Sequence, residues 1–197
     1  MMITESLNKY RIILASRSPR REQLLRKLGL RFDVVIRDWP EIYPENLRGE
    51  EIALYLAREK ADTFKQYIVE NEIVITADTI VWCNGRILDK PAGKGEAFEI
   101  LKEISGNTHE VITGVCLLTT EKQVTFFSST KVTFDFLSDD EINYYIDNYR
   151  PFDKAGAYGI QEWIGLAACS KIEGCYFNVM GLPVHKVYTE LKNFISY

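Results

Sequence analysis

The sequence predicts an α/β fold, and three features predict it. β-Branched or apolar runs recur at 12–15, 72–83, 108–118 and 123–136. Between them lie stretches with apolar residues three or four apart. Turn and cap signals, such as Asn84-Gly85 and Ser138-Asp139-Asp140-Glu141, stand at the joints. Alternating strand-like and helix-like segments of this kind make an α/β protein.

The first run, Ile12-Ile13-Leu14-Ala15, reads as a buried strand. It leads through Ser16-Arg17-Ser18-Pro19-Arg20-Arg21 into a helix with Leu24, Leu25 and Leu28 on one face. Ser18 suits an N-cap, and Pro19 suits the first helical position because the N–H it lacks has no helical partner there. Arg20 and Arg21 then fall in the first turn, where the helix dipole disfavours each cation by about 0.3–1 kcal/mol. Arginines gathered on open helix N–H groups make an anion site, and guanidinium forks match phosphate oxygens. The alternative is an ordinary surface, with the arginines in solvent or paired to Glu22 or Asp38.

Phe32-Asp33-Val34-Val35-Ile36 is a second strand, and Arg37-Asp38-Trp39-Pro40-Glu41 is a loop. A helix follows over about 49–70, with Ile52, Leu56, Phe64 and Ile68 on one track. Lys60 fills the remaining step of that track. Either its stem packs while the ammonium snorkels to water, or it points into a cleft. Residues 72–83 form a central strand. Asp78 interrupts it, and a buried carboxylate needs a partner or a cation; a turn or bulge aspartate is the common alternative. Asn84-Gly85 turns the chain back through Arg86-Ile87-Leu88 toward Asp89-Lys90-Pro91. A helix is expected over 94–104, then strands over 108–118 and 123–136. A capping box at Ser138 opens a helix to about Asn148. The glycines of 153–161 suit either backbone approach to a ligand or a plain connector. A short strand at 168–172, a turn at 178–183 and a last helix to about Phe194 complete the chain.

Composition narrows the function. The net charge is −4 and the pI about 5.4, which disfavours a general nucleic-acid binder. No apolar run approaches 18 residues, so no membrane span is expected. The N-terminus lacks a signal-peptide core. The four cysteines form no C-x-x-C pair and read as reduced packing residues of a cytoplasmic protein. With two histidines only and no G-x-S-x-G, a histidine-held metal and a serine triad are both disfavoured. Any metal is expected on carboxylates and substrate phosphates. Gly93-Lys94-Gly95 is not a Walker A loop, because Gly95 stands where its serine or threonine is needed.

Seven motifs, in order, resemble the Maf family of nucleoside triphosphate pyrophosphatases. They are Ser16-Arg17-Ser18-Pro19-Arg20-Arg21, Ala57-Arg58-Glu59-Lys60-Ala61, Ala77-Asp78-Thr79-Ile80-Val81, Asp89-Lys90-Pro91, 106–111, 153–161 and Val179-Met180-Gly181-Leu182-Pro183. Arg17 departs from the usual small residue between the serines, and Trp39-Pro40-Glu41 is also unusual. The resemblance implies one domain over 1–197 with a loose extension at 1–10. It implies a curved mixed β-sheet flanked by helices, with two lobes around a central cleft, of the Maf/ITPase-like kind. It implies metal-dependent hydrolysis of dTTP and UTP, or modified pyrimidine nucleotides, to the monophosphate and pyrophosphate in a cytoplasmic house-cleaning role. Asp78 becomes the proton acceptor; Arg21, Lys60 and Lys90 line the phosphates. Ser16, Ser18, Arg20, Thr79 and Gln161 bind substrate or set specificity. Glu41 and Asp78 hold a divalent cation, Mg2+ or Mn2+. A homodimer is compatible with the family; a nucleotide-binding regulator of septum formation with little hydrolysis is the alternative function.

Overall fold

The computed structural model describes residues 6–195. The architecture is mixed α/β, with a seven-stranded sheet in the order β2-β1-β3-β5-β6-β7 and β4 paired to β3. The strands are β1 (Arg11–Ala15), β2 (Asp33–Val34), β3 (Glu72–Cys83), β4 (Arg86–Ile87), β5 (Thr108–Leu118), β6 (Gln123–Phe134) and β7 (Cys169–Glu173). The longer helices are α1 (Pro19–Lys27), α2 (Glu50–Asp62), α3 (Lys94–Ile104) and α4 (Asp139–Tyr149). The short α5 (Trp163–Ala167) and α6 (Tyr176–Val179) and the final α7 (Val184–Ile195) follow. Parallel pairing of β1 with β2 and β3, and antiparallel pairing of β3 with β4 and β6 with β7, make the sheet mixed.

The chain divides into two compact units. One comprises Met1–Asp78, Thr113–Ser128 and Gly181–Tyr197; the other comprises Thr79–Ile112 and Ser129–Met180. In the first unit, β1 and β3 run in register from Arg11 opposite Glu72 to Ala15 opposite Thr76. Arg11 fixes that register by donating to Glu72 at 2.8 Å and to Asp33 at 2.7 Å. Of the expected loose extension, residues 1–5 lie outside the described residues. Within 6–10, Leu7 is buried and its carbonyl accepts from Tyr10 N–H at 2.9 Å.

β2 spans two residues rather than the expected five. It is an edge strand, and beyond it the chain leaves the sheet with Arg37 lying 3.7 Å over the Tyr67 ring. α2 ends at Asp62, well short of Glu70, because the Thr63 hydroxyl takes the Lys60 carbonyl at 2.8 Å. The apolar track survives the helix end: turns carry Phe64 and Ile68 onto the same core as Ile13, Ala57, Ala61, Val74 and Cys116. Gly114 of β5 permits this packing, since a Cβ there would lie 2.1 Å from the Ala53 carbonyl oxygen.

In the second unit, Asn84 (φ 49°) and Gly85 (φ 81°) make the expected hairpin turn, pairing Trp82 with Ile87 and Cys83 with Arg86. The capping box forms: Glu141 accepts from Ser138 N–H at 2.8 Å while Ser138 Oγ accepts from Glu141 N–H at 3.3 Å. β6 stops at Phe134 instead of Phe136, where its register with β7 shifts. α5 and α6 were not expected, being too short to show a period. Cys83 and Cys116, one in each unit, are buried and unpaired with other cysteines; burial pushes the Cys116 thiol up to about 11, so it stays protonated.

His109 is buried, with Nε2 2.7 Å from the Tyr158 hydroxyl and its ring edge-on to Phe134 and Tyr158. Burial pushes the imidazole down from 6.5 to about 4. The unfolded chain therefore takes up this proton at higher pH than the folded one. The stability that neutral His109 contributes is complete above about pH 6.5 and is lost as pH falls toward 4. At about 1.4 kcal/mol per unit the loss is on the order of 3 kcal/mol. Denaturant midpoints should fall over that window, and more shallowly in His109→Gln. An unchanged slope in the variant would assign the acid loss to other groups.

Candidate active site

β3 ends its run in the first unit at Asp78, and α2 delivers Lys60 to it. The Lys60 ammonium lies 2.9 Å from Asp78 Oδ1 and 3.4 Å from the Ala77 carbonyl oxygen. Both side chains are nearly buried, at 14% and 13% exposed. Lys60 therefore does not snorkel; its charge is spent on a carboxylate. Glu41, half exposed, approaches the same ammonium at 3.9 Å, and the Trp39 ring lies 5.3 Å from it. Trp39-Pro40-Glu41 thus covers Lys60 with an aromatic face and a second carboxylate.

Arg21 comes from the first turn of α1. Its Nη1 donates to the Ala77 carbonyl at 2.8 Å and its Nε to the Gly181 carbonyl at 2.8 Å. It therefore braces the backbone immediately before Asp78 as well as bringing a charge. Burial pushes the guanidinium pKa down; Asp78 raises it, Arg20 lowers it and Glu41 raises it. Arg21 nonetheless stays charged in water. Four of the expected residues, Arg21, Lys60, Asp78 and Glu41, are thus one electrostatic group within one unit.

The turn before α1 differs in detail. Ser18 occupies the N-cap but its side chain makes no capping bond; instead its N–H donates to Ser16 Oγ at 3.1 Å. That hydrogen bond sets the turn and leaves the helix start without a side-chain cap. Arg17 follows the surface alternative, pairing with Asp38. Glu22 pairs along the helix with Arg26 at 2.8 Å.

Thr79, Lys90 and Gln161 belong to the second unit. Thr79 is part-buried in β3; Lys90 and Gln161 are exposed. The Gly156 N–H donates to the Leu88 carbonyl at 2.9 Å, which sets the 153–161 loop beside the segment entering Asp89-Lys90-Pro91. Gly156 has φ 69°, and a Cβ on it would lie 2.9 Å from Val81 Cγ2. Its glycine is explained by backbone conformation and by packing on β3. Lys154 lies in this loop and Tyr145 and Glu162 contact it, and nothing in the sequence around these three residues points to a role for them. Tyr145 sits at a core position of α4 and carries no local sign of polar work.

Among the described residues, no cluster of three or more His, Cys, Asp or Glu could hold a metal unaided. Two carboxylates, those of Asp78 and Glu41, do approach one positive charge. That oxygen pair fits a hard cation completing its shell with phosphate oxygens and water, as magnesium does. No described helix is long and apolar enough to cross a membrane.

The profile of the family described as Maf-like protein matches residues 11–194, nearly the whole chain. The chain belongs to the Maf family. A relative from Bacteroides thetaiotaomicron, named dTTP/UTP pyrophosphatase, is 52% identical over 190 residues, covering 95% of this chain and 97% of that protein. A Flavobacterium johnsoniae protein of the same name is 51% identical, over 98% of this chain and 100% of its own. Among solved structures, the Staphylococcus aureus Ham1 protein aligns at 13% identity with a TM-score of 0.42, over 63% of this chain and 71% of its own, too loosely to bear on function. In this Maf chain the charged group around Asp78 therefore sits within full-length similarity to named pyrophosphatases.

Proposed function

We propose that this Maf protein is a nucleoside triphosphate pyrophosphatase that hydrolyses dTTP and UTP to the monophosphate and pyrophosphate. The observation that carries the reading is the Asp78 carboxylate held 2.9 Å from Lys60, in the field of Arg21. The names of the relatives, at about half identity over nearly full length, support the substrate.

Asp78 orients a water and accepts its proton as the oxygen attacks phosphorus. The P–O bond to the departing pyrophosphate breaks, and the electron pair leaves with it. Lys60 and Arg21 offset charge on the phosphates, which is electrostatic preorganisation. Asp78 and Glu41 would hold a divalent cation, Mg2+ or Mn2+, which when bound neutralises phosphate charge and brings the pKa of a water down. The Gln161 amide offers a donor and an acceptor to the O4/N3 edge of uracil or thymine, and Thr79 adds a hydroxyl. Such sites discriminate because a wrong base leaves polar groups unpaired.

The test is a triphosphate panel with magnesium or manganese, products identified by chromatography. UTP and dTTP should be preferred over GTP and should yield monophosphate plus pyrophosphate. Diphosphate plus phosphate as products would sink the proposed chemistry. Binding without pyrophosphate release would favour a nucleotide-binding regulator instead.

A further inference from the structure

Gln161 is exposed, yet the turn that carries it is held by buried groups on both sides. Tyr145, fully buried in α4, donates from its hydroxyl to Glu162 Oε2. The same hydroxyl oxygen accepts from Gly159 N–H at 3.0 Å. The other oxygen of Glu162, Oε1, pairs with the buried Lys154 ammonium at 3.2 Å, which also meets Asp153 at 2.7 Å. Glu162 N–H donates to the Gly159 carbonyl at 2.9 Å, closing the turn around Ile160 and Gln161. Burial first, and the Glu162 hydrogen bond second, hold the Tyr145 phenol well above its ordinary pKa, so it remains an O–H donor.

Gly159 shows how close the parts lie. A Cβ there would be 2.8 Å from Gln161 Nε2 and 2.8 Å from Glu162 Cδ. The amide of Gln161 and the carboxylate of Glu162 therefore crowd the same spot above Gly159. A shift of the Glu162 carboxylate changes the space left to the amide. A half-buried ion pair, Lys154 buried and Glu162 partly exposed with both carboxylate oxygens engaged, is better suited to fixing one arrangement than to adding stability.

We propose that Tyr145, Glu162 and Lys154 are positioning residues for Gln161, and that selectivity for a pyrimidine base depends on them. The inference rests on the reading of Gln161 as a base contact. Tyr145→Phe removes one hydroxyl and leaves the ring in place. Glu162→Gln keeps the shape and removes the charge facing Lys154, and carries the test if Tyr145→Phe does not fold.

The readout is kcat/KM for UTP divided by kcat/KM for GTP, measured in the full chain. In both variants this ratio should fall by roughly 10-fold, the scale of one lost hydrogen bond, while kcat/KM for GTP holds. Gln161→Ala should lower the ratio similarly, and adding Tyr145→Phe to it should lower it no further, because both act through one contact. An equal loss for UTP and GTP would reduce the trio to a structural role and overturn the proposal. A ratio unchanged in Tyr145→Phe and Glu162→Gln but lowered in Gln161→Ala would overturn the positioning and leave the base contact standing. No preference in the parent protein, or none lost in Gln161→Ala, would overturn the base contact and this proposal with it.

Discussion

Asp78→Asn is expected to lower UTP turnover at least ~10²-fold, the range of a general base's contribution. Asparagine has nearly the same shape, can still accept from Lys60, and does not take a proton from water at neutral pH. Arg21 and Lys60 retain their charges, and because Asp78 is also a proposed cation ligand, turnover is to be compared at saturating magnesium or manganese and saturating UTP. The variant also isolates chemistry from architecture. Arg21 is tied to the Ala77 and Gly181 carbonyls rather than to the Asp78 side chain, so the backbone before residue 78 keeps its brace. Circular dichroism and thermal unfolding should therefore show a folded protein. Turnover near that of the parent would remove Asp78 as proton acceptor and leave it as the Lys60 counter-ion.

Lys60→Met is expected to affect both stability and rate. Methionine keeps an unbranched stem in the α2 track, so packing is largely preserved. The lost ammonium leaves Asp78 nearly buried without its cation, and breaking a buried pair costs about 3–5 kcal/mol. Residual exposure of the pair, near one-seventh on each side, points to the lower figure. At about 2–4 °C per kcal/mol for a chain of this size, Tm should drop by roughly 6–12 °C. kcat/KM should fall by about 10²-fold as one preorganised charge disappears. The double variant Lys60→Met/Asp78→Asn should be more stable than Lys60→Met alone, since no buried charge is then stranded. Additive losses in that cycle would mean that solvent already screens the pair.

The anomalies were legible in the sequence, and their resolution was not. Lys60 stood out because it interrupts an apolar track, and Asp78 because it interrupts a β-branched strand. That each is the other's partner depends on α2 packing across β5 at Gly114, a contact between distant segments. The end of α2 is not legible, because the apolar period continues through Phe64 and Ile68 although the helix stops at Asp62. Periodicity reports which side chains are buried, and turns can bury them as well as a helix can. The glycines of 153–161 were visible, but their cause, Val81 against Gly156 and the Gln161 and Glu162 side chains against Gly159, was not. Tyr145 carries no such sign, because its stripe position is that of an apolar core residue and its hydroxyl meets partners 14 and 17 residues along the chain.

The carbonyl of Gly181 that holds Arg21 lies 160 residues further along the chain. Since the ribosome makes the first helix early and Gly181 late, Arg21 spends almost the whole of synthesis without that anchor. A nascent chain emerging N-terminus first can pair β1 with β3 once residue 76 is out, but it cannot complete this corner of the molecule until its closing segment arrives. Maturation of the charged cluster is in this sense timed by translation, and a chain stalled before Gly181 would present its arginines and its acidic residue without the fastening that orders them.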